Sequence, residues 1–123
     1  MFIDDFYNTF CGNRNYNHPM NLVENENEWT IELRATGLKK EDIQLEYEAK
    51  DNTLYVKSLN DRKKEKETSY NLHEFWRDWF DTRIQLPESI DSEGIEARTE
   101  DGILYIKVPK RNGSGTNKRI ELK

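Results

Sequence analysis

Two seven-residue runs alternate without a break. In Trp29-Thr30-Ile31-Glu32-Leu33-Arg34-Ala35, apolar side chains take every second position and polar ones fill the gaps. Ile43-Gln44-Leu45-Glu46-Tyr47-Glu48-Ala49 repeats the pattern. Period two places all the apolar groups of a run on one face of a β-sheet. On a helix the same residues would be scattered around the axis. A chain with two such runs is committed to half-buried β-structure.

The remainder extends this pattern. Strand character begins near Met20. Gly37 turns the chain between the two runs, and residues 38–42 suit a single exposed helical turn. Residues 50–53, with Asp51-Asn52, read as a tight turn into Leu54-Tyr55-Val56. Residues 73–86 are the most aromatic stretch. Trp76, Phe80, Ile84 and Leu86 fall on one strand face, with Asp78 and Thr82 breaking the pattern. Trp76, Trp79, Phe80 and Arg83 also fit helical spacing, which leaves the first half of this stretch open. Pro87 ends it. Ile95 and Ala97 make a short strand, Asp101-Gly102 a hairpin turn, and Leu104, Ile106 and Val108 a last alternating strand stopped by Pro109. Seven or eight short strands with no long helix predict an all-β fold: an immunoglobulin-like antiparallel β-sandwich. The sandwich is expected over residues 19–109, between an N-terminal arm (1–18) and a C-terminal tail (110–123).

Composition narrows the function. Nineteen basic and 24 acidic side chains give a net charge of −5. Residues 110–123 hold five basic groups against Glu121, so the basic tail follows an acidic body. Net acidity speaks against nucleic-acid binding, which draws its affinity from neutralising phosphates. The tail remains open to three readings: a short nucleic-acid arm, a segment docking on an acidic surface, or a solvated end. No run approaches the apolar length of a membrane helix. Residues 1–10 have neither the basic start nor the apolar core of a signal peptide. A lone cysteine, Cys11, fits a reducing compartment, so a cytoplasmic location is expected.

Catalytic chemistry finds little footing. His18, His73 and Cys11 lack metal-ligand spacing, and no Gly-rich phosphate loop is present. Neither an enzyme, a metal nor a cofactor is expected. Three segments ask for another explanation. Residues 60–72 form a long charged excursion, and such loops are usually functional or disordered. Ile3, Phe6, Tyr7 and Phe10 fall at helical spacing in a segment that reads equally as a frayed end. Residues 112–117 are a Gly/Ser/Asn linker that delivers Ile120-Glu121-Leu122, two aliphatic groups on one side of an extended tripeptide.

Several motifs, in order, resemble the small heat shock proteins, the Hsp20/α-crystallin domain family. Ala35-Thr36-Gly37-Leu38-Lys39-Lys40-Glu41-Asp42-Ile43 is similar to the family's Leu-Pro-Gly and Lys-Glu-Asp-Ile turn. Leu86-Pro87 resembles the Leu-Pro that closes the long aromatic strand. Ile95-Glu96-Ala97, Asp101-Gly102-Ile103-Leu104 and Val108-Pro109-Lys110 resemble the Ala, Gly-Val-Leu and Leu-Pro-Lys signature. Ile120-Glu121-Leu122 matches the tail motif. Thr36 replaces a customary Pro. Thr82 stands where an Arg is frequent, with Arg77 and Arg83 nearby but out of register. The arm is very short for the family.

The resemblance implies an α-crystallin domain of the non-animal type acting as an ATP-independent holdase, assembled from dimers into a higher homo-oligomer. Its partners would be copies of itself and partly unfolded clients. Phe2, Phe6, Tyr7 and Phe10 would bind clients. Ile120 and Leu122 would plug a groove between the strand with Ile43, Leu45 and Tyr47 and the strand with Ile95 and Ala97. Residues 60–72 would be a dimerisation loop, with Ser69, Tyr70 and Leu72 pairing on a partner's Asn21, Leu22 and Val23. A p23-like co-chaperone domain would share the sandwich but lack both plug and loop. An all-β sugar-binding or hydrolase module would need a convergent polar site, which the sequence does not offer.

Overall fold

The alternation of the sequence becomes alternation of burial. A computed structural model describes residues 18–111. Its strands are β1 (Met20–Glu24), β2 (Glu28–Arg34), β3 (Ile43–Glu48), β4 (Thr53–Ser58), β5 (Asp81–Gln85), β6 (Glu96–Glu100) and β7 (Ile103–Pro109). In β2, Trp29, Ile31 and Leu33 are buried while Thr30, Glu32 and Arg34 look outward. β7 does the same with Leu104, Ile106 and Val108. The two strands pair antiparallel along their whole length, setting Trp29 opposite Val108, Ile31 opposite Ile106 and Leu33 opposite Leu104.

All pairings are antiparallel, in a four-stranded sheet of order β1-β2-β7-β6 and a three-stranded sheet of order β3-β4-β5. The core joins β2 and β7 of the first sheet to Leu54, Val56, Phe80, Ile84 and Leu86 of the second layer. The fold is the antiparallel β-sandwich that the strand pattern predicts. Each fully buried aliphatic side chain contributes about 1.5–3 kcal/mol gross, so this small core stabilises the chain through few residues.

The turns follow their residues. Asp101 and Gly102 both take positive φ, 53° and 79°, as a two-residue hairpin requires. Asn52, at φ 53°, turns β3 into β4 and ties that corner together. Its Nδ2 donates to the carbonyls of Leu86 and Pro87, and Tyr47 Oη donates to its Oδ1. The turn expected before Ile43 is a short 3-10 helix at Lys40–Asp42.

The structure settles one open reading and changes two expectations. The first half of the aromatic stretch 73–86 is neither strand nor helix, and the stretch is a strand only over Asp81–Gln85, where β5 pairs with β4. Thr82 does not break the buried face; it is 2% exposed and lies in line with Phe80 and Ile84, whereas Trp76 sits off that face. The excursion 60–72 contains an α-helix, α1 (Arg62–Glu67), capped by Asp61, whose carboxylate accepts from Lys64 N.

Candidate functional site: open strand edges and the root of a loop

A sandwich of two open sheets leaves four edge strands, and unpaired edges are places where another chain can add. Here the edges are β1 and β6 on the large sheet and β3 and β5 on the small one. On β3, Ile43, Leu45 and Tyr47 are half-buried and pack against the core, as does Ile95 just before β6. Ala97 is exposed on β6. The residues expected to form a tail-accepting groove therefore lie along edges of two different sheets. On β1, Leu22 packs half-buried against the core, Val23 is 48% exposed, and the exposed Asn21 donates to Glu32.

The segment between β4 and β5 presents the apolar surface. Tyr70 is 41% exposed, Leu72 75% and Phe75 70%, with Leu59, Trp76 and Trp79 also exposed. Ser69 is exposed as well. His73 stacks on Tyr70 at 4.1 Å and meets Trp76 edge-on at 4.1 Å. Side chains of this size exposed on one segment give the described residues an apolar surface of the kind that can receive another chain.

Two ion pairs fix the root of that segment. Asp78 is 6% exposed. It accepts from Arg34 Nε at 3.1 Å and Nη2 at 3.0 Å, and from Thr36 N at 2.7 Å. Burial pushes the Asp78 carboxyl up, but the Arg34 hydrogen bonds, the Thr36 N–H and the Arg34 and His18 charges outweigh it and hold it below the usual carboxylate range. The hydrogen bonds to Asp78 raise Arg34 in turn, reinforced by its charge. The carbonyl of Asp78 accepts from Asn60 Nδ2 at 3.2 Å, and its N–H donates to Thr36 O at 3.0 Å. His18 Nε2 donates to Arg34 O at 2.6 Å, and its ring lies against Phe80. One residue earlier, Arg77 donates from its backbone N to the buried Glu65 of α1 and pairs with it through its side chain at 3.7 Å. The loop is therefore clamped at 77–78 both to β2 and to α1.

Asp78, Arg34, Glu65 and α1 are absent from the sequence-based site. The helix had a signal: Asp61 as N-cap before a run of Lys and Glu, both good helix formers. The Arg34–Asp78 pair had none, since its members stand 44 residues apart. Arg77 has found a partner within its own chain, while Arg83 is exposed on β5. The arm residues Phe2, Phe6, Tyr7 and Phe10, with Cys11, and the tail residues Ile120 and Leu122 lie outside the described residues. Among the described residues no group of His, Cys, Asp and Glu has the arrangement of a metal site, and no helix is long and apolar enough to cross a membrane.

Comparison with known proteins points one way. Residues 21–123 match the model of the Hsp20/alpha crystallin family. Small heat shock protein C2 of Rickettsia felis is 29% identical over 128 residues, covering 98% of this chain and 81% of its own. Heat shock protein 16 of Schizosaccharomyces pombe is 32% identical over 108 residues, covering 85% and 73%. Among solved structures, a small heat-shock protein from Xylella fastidiosa superposes with a TM-score of 0.68 at 25% identity, over 88% of this chain and 97% of that one. Heat shock protein 16.0 of Schizosaccharomyces pombe gives 0.63 at 28% identity, over 86% and 75%.

Proposed function

The chain belongs to the Hsp20/alpha crystallin family of small heat shock chaperones, and from that membership we propose that it is an ATP-independent holdase. It captures partly unfolded proteins on apolar surface and keeps them from one another, working as an oligomer built from dimers. The observation that carries this reading is the apolar surface of the segment between β4 and β5, where Phe75 at 70% exposure, with Trp76 and Trp79, stands outside the residues assigned below to the dimer, on an otherwise highly charged domain. A protein that binds unfolded chains shifts them away from aggregation by mass action.

In this reading Phe2, Phe6, Tyr7 and Phe10 add client-binding surface. Ile120 and Leu122 seat between β3 and β6, where Ile43, Leu45, Tyr47, Ile95 and Ala97 receive them. Burying two aliphatic side chains contributes about 3–5 kcal/mol gross, less the ordering of the tail, so the seat is reversible. Ser69, Tyr70 and Leu72 join two copies through the partner's Asn21, Leu22 and Val23. The compartment we assign is the cytoplasm, on the lone Cys11.

The test is aggregation of reduced insulin followed by light scattering without nucleotide. Suppression that rises with chaperone concentration is expected. Unaltered aggregation at a molar excess, from a chain shown to be folded, would sink the holdase reading.

A further inference from the structure

We propose that the arm preceding His18 folds back on its own chain and lays Phe2, Phe6, Tyr7 and Phe10 over Phe75, Trp76 and Trp79. This rests on the holdase reading above and adds what a client must displace. At rest, each of the two client-binding surfaces covers the other.

The anchor is His18. It is buried, its ring lies 4.9 Å from that of Phe80, and its Nε2 lies 2.6 Å from Arg34 O. Pro19 O accepts from Arg34 N, and the Arg34 side chain holds Asp78. The arm therefore departs beside residues 78–80, at the root of the exposed segment. Trp79 turns outward there, 44% exposed, while its neighbours Asp78 and Phe80 are buried. Between His18 and Phe10 lie Gly12, Asn13, Asn15 and Asn17 and no aliphatic side chain. These seven residues, 11–17, span at most about 25 Å. That is enough to round one extended segment and bring residues 2–10 over its outer side.

The occupant follows from chemistry. Phe75, Trp76 and Trp79 put three large aromatic side chains in water within five residues. Aromatic pairs gain from ring-on-ring geometry beyond the area they bury, and the arm supplies four rings. Charge agrees. Asp4 and Asp5 stand between Phe2 and Phe6. The flank of the patch carries the exposed Arg77 and, on α1, the exposed Lys63, Lys64 and Lys66, against Glu67 and Glu74. α1 is held next to the patch by the bond from Arg77 N to Glu65. The tail is the poorer occupant: residues 112–123 have no aromatic side chain and carry Lys118, Arg119 and Lys123 against Glu121. A short tether gives an effective concentration on the order of millimolar, so a contact that is weak between separate chains is closed within one. Such a contact still yields to a client that binds both faces.

The full chain with p-benzoylphenylalanine in place of Phe6 tests the contact. Irradiation is expected to join position 6 to residues 75–79, in a product of single-chain mass on a denaturing gel. Crosslinks to other residues, or none, overturn the docking. A product of double mass joined at 75–79 overturns the fold-back on the same chain. Phe75→Ser with Trp79→Ser, both at exposed positions, should lower the crosslink about tenfold, as truncated aromatic anchors do. An undiminished yield in that variant would overturn the patch as the seat. Reduced insulin in molar excess should compete the crosslink down about tenfold by mass action while its own aggregation is suppressed. A crosslink that persists under full suppression overturns the mutual covering. An intact crosslink without any suppression supports the docking and sinks the holdase reading instead.

Discussion

Asp78 is the residue on which the loop's position turns. Its carboxylate is buried, answered by Arg34 and by the backbone of Thr36, and its own backbone bonds to Thr36 and Asn60. Asp78→Ala leaves the Thr36 N–H without its acceptor and Arg34 without its partner, which costs about 2–3 kcal/mol given that Arg34 is half exposed. Urea denaturation should read that loss. The pH dependence has a definite sign. The folded Asp78 sits below the usual carboxylate range, so its contribution is fully present above the unfolded value of about 3.9 and is lost as pH falls through the folded value. Stability of the parent chain should therefore fall across that acid window more steeply than that of Asp78→Asn. Equal slopes would mean that the pair contributes nothing. Gly37 is a second sensitive position. Its φ is +80°, and an added Cβ would lie 2.6 Å from Arg77 Cγ. Gly37→Ala should cost about 1–3 kcal/mol and displace Arg77 from Glu65, which urea melting and the proteolytic sensitivity of α1 can follow.

Among the elements, what the sequence made legible was set by local rules. Period two defined β2, β3 and β7, and Asp101-Gly102 defined their last hairpin, because side-chain direction and turn φ depend only on near neighbours. Residues 73–80 stay open between strand and helix in the sequence because an apolar run becomes a strand only beside a partner, and pairing is not local. α1 carries little sequence signal because it lacks an apolar stripe; it holds on through Asp61 and the buried Glu65. For the site, the residues of β1 and β3 could be named from alternation, but which strands end a sheet is a property of topology. The edges of β3 and β6 bear on the tail. Replacing Ile120 and Leu122 by Ser removes the apolar part of the proposed seat and should lower the native mass by light scattering without changing the sandwich's circular dichroism. A double variant that retains the parent mass would remove the tail from assembly.

At the scale of the whole molecule, the proposed function gives two sets of apolar side chains the same task. One is the segment between β4 and β5, much of which a partner copy would cover in the proposed dimer. The other is Phe2, Phe6, Tyr7 and Phe10 of the arm, which the proposed dimer does not use. Surface consumed by assembly is unavailable to clients, so client binding should fall mainly to the surface that assembly leaves uncovered. Deleting residues 1–18 separates the two roles, although it also removes His18 and its bond to Arg34; deletion of 1–17 is therefore the cleaner variant. That truncated chain should keep its dimer, because β1 and residues 68–72 are intact. It should lose most of its protection of reduced insulin. If protection is undiminished while the dimer persists, the clients bind to the domain itself, and Phe75, Trp76 and Trp79 become the side chains to replace next.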